Sequence, residues 1–413
     1  MKKILLFFVS VSLMIVIIGC DQSITTTLTE TSTDSTTTTT TTTTATSSES
    51  TTTTTTLDPN SLLLHIPADC ENVEIIDGWV PTWCEEFDYT GGVDPTKWRH
   101  QTGGGGFGNE ELQYYTNRAE NAYVDGEKLI ITAKKEAYGG EAYTSSKIWT
   151  QNLKNWKYGK FEIRAKVPAG IGTWPAFWMM PKSSVYGGWP KSGEIDILEH
   201  SALNLNRVFG SIHTEKYNHK LGTQISFTKF NSTLVSEFHT YSVVWNEYTF
   251  TWYLDGVQYG KTTFNANANT DVETYAAWPF DQEFYLIINL AMGGSMGGPV
   301  DSNFVSDTFE VDYVRVYKQD YGINDLENPT AITNLQAVKT TDVSTYLLWS
   351  RATDNQMVRY YNIYVNGVYF KSVSLNTIKL KNLTSNTEYL VEIEAEDYAG
   401  NLSEKRAVTF ITQ

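Results

Sequence analysis

From residue 128 onward, apolar and polar residues alternate in one short run after another, at 128–133, 160–167, 240–245, 250–254, 283–290 and 308–317. Alternation with a period of two is the pattern of a strand with one buried and one wet face. Gly, Asn, Asp and Pro separate the runs, and no stretch carries the apolar spacing of a long amphipathic helix. Strands without helices to cover them must bury their apolar faces against one another. Residues 61–319 therefore predict an all-β, antiparallel sandwich. With 413 residues, the chain should hold more than one domain.

One run carries chemistry. Gly193-Glu194-Ile195-Asp196-Ile197-Leu198-Glu199-His200 interleaves three acids with aliphatics. Glu194 and Asp196 are two apart and share a face of the strand. Glu199 stands at an odd offset and would face the other way, unless a β-bulge at Ile197 or Leu198 restores the parity. Three carboxylates on one face repel one another, a cost that argues for use. Glycoside hydrolysis uses such a set, with one carboxylate attacking the anomeric carbon and a second carboxyl protonating the leaving oxygen. In retaining enzymes the two groups lie roughly 5–5.5 Å apart. Strand positions advance by ~3.3 Å per residue, so the side chains of Glu194 and Glu199 must converge on a concave surface. Asp196 lies between them, placed to hold a proton or hydrogen bond that keeps Glu194 ionised.

This octapeptide resembles the catalytic strand of glycoside hydrolase family 16, in the bulged Glu-x-Asp-x-x-Glu form of the laminarinases, which are endo-β-1,3-glucanases. The resemblance implies a β-jelly-roll catalytic domain, with Glu194 as nucleophile, Asp196 as assisting acid and Glu199 as general acid/base. It extends over most of residues 61–319. Gly105-Gly106-Phe107-Gly108-Asn109-Glu110-Glu111-Leu112-Gln113-Tyr114-Tyr115-Thr116 is similar to the laminarinase loop at the cleft, which puts Asn109 in contact with substrate. Tyr158-Gly159-Lys160-Phe161-Glu162-Ile163-Arg164-Ala165-Lys166 resembles a strand that places an Arg in the cleft, here Arg164. By parity Glu162, Arg164 and Lys166 share a face, which suits a plain solvated surface as well.

Gly172-Thr173-Trp174-Pro175-Ala176-Phe177-Trp178-Met179-Met180-Pro181 and Gly188-Trp189-Pro190 precede the acids. Trp174 and Trp189 adjoin proline and are read as loop residues at strand ends, where an indole can cover the C–H face of a sugar or close the loop over the core. Trp178 lies inside an apolar run and fits core and cleft equally. Gly210-Ser211-Ile212-His213-Thr214 resembles the strand with a cleft His; His213 suits a structural role as well. Trp278 to Ala291 and Val311 to Tyr317 match the last strands of laminarinase-like members. The family resemblance also implies a structural calcium on the convex side, held by Asp312 with backbone oxygens near Glu86 and Gly126. Calcium takes oxygen ligands, so the residue types are compatible. The hydrolysis itself needs no cofactor.

Formal net charge is −16, which makes nucleic acid, anionic surfaces and sulfated polymers poor partners and a neutral β-glucan the natural one. Twelve Trp and twenty-five Tyr are enough for a core and for sugar platforms as well. The three cysteines, Cys20, Cys70 and Cys84, give neither a disulfide framework nor metal spacing. Cys70 and Cys84 are read either as a pair or as two buried thiols.

Residues 1–20 read as a secretion signal, with Lys2 and Lys3 before an apolar stretch too short for a comfortable span. Ile17-Ile18-Gly19-Cys20 resembles a bacterial lipobox, which implies lipidation of Cys20 and a monomer anchored to the outer face of a membrane. Residues 21–60 are Thr- and Ser-rich, with too little apolar surface to fold, and read as a disordered tether. Residues 320–328 read as a linker. Residues 329–413 alternate at 345–349, 360–365 and 389–395, and resemble a fibronectin type III domain through Leu383-Thr384-Ser385-Asn386-Thr387-Glu388-Tyr389 and Asp397-Tyr398-Ala399-Gly400-Asn401-Leu402-Ser403, with Trp349 and Tyr389 at core positions.

The expected function is a retaining endo-glycosidase of laminarin-like β-1,3-glucan or mixed-linkage β-1,3-1,4-glucan. A galactanase of the agarase or carrageenase kind shares the bulged strand, but the acidic balance and the loop matches weigh against it. A glucan receptor without turnover would have lost catalytic acids, and here all three are present.

Overall fold

The computed structural model describes residues 66–321 and 325–413, with three short strands before them. The first 58 residues form a unit of their own, in which Ser12–Ile15, Thr25–Thr29 and Thr40–Thr44 pair antiparallel. The lipidation reading at Cys20 lies outside the described residues, as do linker positions 322–324. Among the described residues no helix is long and apolar enough to cross a membrane.

The strands that position the site are β1 (Lys147–Trp149), β2 (Gly159–Lys166), β3 (Thr173–Pro181), β4 (Glu194–His200), β5 (Arg207–His213), β6 (Thr249–Leu254), β7 (Phe284–Met292) and β8 (Ser306–Gln319). One seven-stranded antiparallel sheet runs in the order Ile225–Phe230, β5, β4, β3, β7, β1, Arg99–His100. A second sheet of eleven strands is built around β6, His239–Trp245, β2, β8 and Leu129–Lys134 as consecutive neighbours. The two make the expected β-jelly-roll sandwich. The predicted alternating runs all fall within observed strands or overrun them by a residue, because period-two burial is what two packed sheets impose.

Between the sheets, Phe161 and Ile163 of β2, Trp252 of β6 and Val314 and Val316 of β8 share one core with Phe177, Met179, Ile195, Leu286 and Ile288 of the seven-stranded sheet. Side chains of this size contribute roughly 1.5–3 kcal/mol each when fully buried, so this core carries the fold. Among the described residues the only α-helices are two four-residue turns, Thr274–Ala277 and Gly294–Gly297.

The C-terminal domain is a smaller sandwich of three and four antiparallel strands. Trp349 is buried in its core beside Tyr361, Ile363 and Val391, and Tyr389 packs against that core partly buried. It docks on the catalytic sandwich through Lys379 and Lys381, both paired with Glu273, and through the hydroxyl of Tyr346, which donates to the carbonyl of Val272 at 2.9 Å.

Cys70 and Cys84 are joined in a disulfide, with their Cα atoms 5.3 Å apart across 14 residues. Both are fully buried. Replacing the pair by alanine should lower stability by about 3 kcal/mol through lost loop-closure constraint. Urea unfolding measures this directly, and an unchanged midpoint would show that the link adds no constraint.

Candidate active site

The acids of β4 are turned to one face by a bulge. Against β3, Leu198 lies opposite Phe177 and Asp196 opposite Trp178, so Ile197 has no partner there. Against β5, Asp196 faces Ser211 and Glu199 faces Phe209, two steps on one strand against three on the other. Ile195, Ile197 and Leu198 all point into the core with no exposed surface. Glu194, Asp196 and Glu199 all line a cleft of about 310 Å³ on the opposite face.

Two residues allow the bulge. Gly210 is the residue that Ile197 and Leu198 straddle on β5, and a Cβ there would lie 2.1 Å from the Trp252 ring. Without that atom the indole of Trp252 reaches beneath the bulge and donates its N–H to the carbonyl of Asp196 at 2.9 Å. It thus occupies a carbonyl at the point where the β4–β5 register breaks. Gly193 turns the chain into β4 at φ +89°, where a side chain would be strained and would meet Phe280 and Pro279 at 3.0 Å.

Two indoles bond to the acids. Trp189 Nε1 donates to Glu194 Oε2 at 2.8 Å, and Trp174 Nε1 donates to Glu199 Oε1 at 3.2 Å. His213 Nε2 lies 3.3 Å from Asp196 Oδ2 and 3.8 Å from Glu194 Oε1. Burial, and then the charge of Asp196, push Glu194 up to about 8. Burial pushes Asp196 up to about 8 as well. Glu199 is raised well above the ordinary carboxyl range, by burial first and then by the charges of Asp196 and Glu194. The three cannot all be ionised near neutrality. One indole N–H stabilises charge on Glu194 and another does so on Glu199, while Asp196 is hydrogen-bonded to Glu194 and lies beside His213. Glu199, which faces the charges of both other acids, therefore keeps its proton, and Glu194 and Asp196 hold one negative charge between them.

The other expected residues divide. Asn109, Trp174, Trp178 and Trp189 line the cleft. Trp178 Nε1 donates to Asn289 Oδ1 at 2.7 Å, which fixes its ring at the cleft surface rather than in the core. Trp174 lies within β3, not in a loop, because its proline neighbour sits in the strand as well. His213 sits beneath the acids, in contact with Asp196 and Glu194.

Arg164 is a correction. It lies on β2 in the other sheet, where its guanidinium pairs with Asp312 and covers the Phe238 ring. The parity that grouped it with Glu162 and Lys166 described a solvated face. Asp312 is the acid that Arg164 meets. Its carboxylate is taken by a guanidinium, and the side chain of Glu86 is held by both N–H groups of Arg315.

Several cleft residues carried no signature in the sequence. Lys147 lies on β1 opposite Asn289, with its ammonium 4.8 Å from the Trp178 ring and 5.3 Å from Phe107. Burial pushes it down to about 8, against the pull of Glu111 and Glu194. Glu111 accepts from Gln113 and Tyr115, and Tyr115 accepts from Asn289. His219 and Lys220 close the far wall beside Trp189. Polar alternation along β1 was the only available hint for Lys147, and it does not separate a cleft from a solvated face.

Burying three acids costs stability, and the sign of that cost is testable. Glu199 binds its proton more tightly in the folded chain than at its ordinary value of 4.5. Wild-type stability therefore falls as pH rises above that value and through the native one. Glu199→Gln should stabilise the protein by about 1–3 kcal/mol at pH 8 and by little at pH 4. Thermal melts at the two values check this, and an equal gain at both would sink the explanation.

The family model for glycosyl hydrolases family 16 matches residues 109–315. A beta-glucanase from Rhodothermus marinus is 47% identical over 246 residues, covering 58% of this chain and 85% of that protein. The solved laminarinase of the same organism superposes with a TM-score of 0.56 at 45% identity, over 59% of this chain and 98% of that one. A non-specific endo-β-1,3(4)-glucanase, solved with 1,3-β-D-cellobiosyl-glucose at its active site, gives a TM-score of 0.56 at 39% identity, over 59% and 96%.

Proposed function

This chain belongs to glycosyl hydrolases family 16, and on that premise we propose that it is a retaining endo-glucanase that cuts β-1,3 bonds in laminarin-like or mixed-linkage β-1,3-1,4-glucan. The observation that carries the reading is the bulge that turns Glu194, Asp196 and Glu199 into one tryptophan-walled cleft. Glu194, held by the Trp189 indole N–H and flanked by Asp196 and His213, attacks the anomeric carbon. Glu199, raised by burial, holds the proton that the leaving oxygen takes. A glycosyl-enzyme forms on Glu194. Glu199, now ionised, removes a proton from the water that releases the sugar. Asp196 shares a proton with Glu194 and bonds whichever form of that acid the step requires. Trp174, Trp178 and Trp189 offer ring faces or edges to the sugar while their N–H groups are engaged. Every step is carried by these side chains and the substrate.

We also propose that the enzyme works outside the cytoplasm, lipid-anchored at Cys20. A disulfide inside the catalytic sandwich fits an oxidising compartment. The C-terminal sandwich, with three strands against four, is read as a fibronectin type III domain that spaces or lightly tethers the enzyme.

Glu194→Gln should lower kcat on laminarin by at least about 10³-fold while glucan still binds. Glu199→Gln should be equally poor on laminarin but still release a burst of phenol from aryl glycosides, whose leaving group needs no proton, before the glycosyl-enzyme accumulates for want of a base. Reducing-sugar release and binding isotherms separate the two roles. Aryl-glycoside activity lost equally in both variants would refute the assignment, and cleavage of agarose or carrageenan but not laminarin would replace the substrate.

Trp189→Phe removes the N–H that holds Glu194 down, so its pKa rises. The acid limb of kcat/KM should then move to higher pH, by about 0.5–1 unit. A limb that stays in place would show that another group sets it.

A further inference from the structure

Three carboxylates from distant parts of the chain meet on the C-terminal domain. Asp325 comes from the linker, Asp354 from the loop between Ser344–Ser350 and Val358–Val365, and Asp397 from the end of Glu388–Asp397. Each presents an oxygen within 4.8 Å of the other two. Asp397 is completely buried. Among the described residues none of the three is in an ion pair.

The hydrogen bonds leave a defined remainder. Asp325 Oδ1 accepts from the amide of Glu327 and from Asn355 Nδ2, both at 3.0 Å. Asp354 Oδ2 accepts from the amide of Gln356 at 3.0 Å. Asp397 takes both its bonds from Asn401, whose side chain also donates to the carbonyl of Asp325 at 2.8 Å. The second oxygens of Asp325 and Asp354 are wholly buried and have no donor at all. A buried carboxylate oxygen without a donor is expensive, and two beside a third buried acid more so. Neutral donors of the backbone and of Asn355 and Asn401 hold these groups in place, and among the described residues no cationic side chain pairs with them.

We propose that Asp325, Asp354 and Asp397 bind one calcium ion, which pins the linker to the C-terminal domain. Hard oxygen donors suit calcium, and oxygens on opposite sides of one calcium lie up to about 5 Å apart, the span these three occupy. Three carboxylates held by a linker, a loop and a strand end suit calcium's flexible shell better than the strict octahedron of magnesium. The two donorless oxygens become ligands, and the ion's charge replaces the missing cation. The site is separate from the cleft and from the Asp312 pair. Its role is mechanical: Asp325 precedes Pro329 in the linker, so the ion ties the entry of the domain to both its Asp354 loop and its Asp397 strand end.

The test uses the full chain, stripped with EDTA and dialysed, then titrated with calcium chloride or magnesium chloride in a calorimeter and followed in thermal melts. One calcium should bind, with magnesium weaker, and saturation should raise the melting temperature of the C-terminal domain by several degrees. Asp354→Asn, in a partly exposed loop, should weaken calcium by at least about tenfold, since affinity follows ligand charge. Asp325→Asn should do the same, which guards against a variant that misfolds, and laminarin hydrolysis should stay unchanged in both. Absence of calcium binding would overturn the proposal. So would binding that survives both substitutions, or binding lost instead on Asp312→Asn.

Discussion

The hydrogen bond from Trp252 to the carbonyl of Asp196 joins the two layers of the catalytic sandwich at the point where the acids are set. Trp252 belongs to the eleven-stranded sheet and Asp196 to the seven-stranded one. A bulge leaves an unpaired residue, and in a packed interior it also leaves backbone groups to satisfy and space to fill. The indole does both, and it reaches the spot only because Gly210 has no side chain. The parity of β4 follows from this fit. With the bulge filled, Leu198 turns into the core and Glu199 turns out. Without it, a charged side chain would take a core position at a cost that no fold of this size sustains.

The electrostatics rest on the same frame. Burial raises all three acids, so the folded chain holds protons that free carboxyls would release near neutrality. What distinguishes the three is the donor each one meets. Glu194 meets the Trp189 indole and His213, Asp196 meets Glu194 and His213, and Glu199 meets the Trp174 indole under the charges of both other acids. Roles that look interchangeable in a run of Glu and Asp are separated by neighbours contributed by other strands.

Much of this was readable in advance, for particular reasons. Alternation gave the strands because two stacked sheets enforce it. The odd offset between Glu194 and Glu199 gave the bulge, since no regular strand could have used both. Arg164 is placed in the cleft by resemblance alone, whereas parity allows the outer face of the other sheet that it occupies. Trp174 was taken for a loop residue because proline was read as punctuation, whereas Pro175 lies inside β3. Lys147 carries no motif, and Glu111 and Asn289 lie in family-like stretches that give neither a role by itself; only folding brings the three to one cleft. The pairing of Cys70 with Cys84 was open for the same reason, as spacing alone does not fix where two side chains meet.

A cutting edge made jointly by two layers has a mechanical tolerance. The seven-stranded sheet carries the acids, but the opposite sheet supplies the wedge that tilts the last of them outward. An N–H···O contact weakens steeply once it is stretched or bent by a fraction of its length. The layers therefore have to stay in registration to within a few tenths of an ångström. Sliding one over the other would blunt the enzyme while leaving every strand intact.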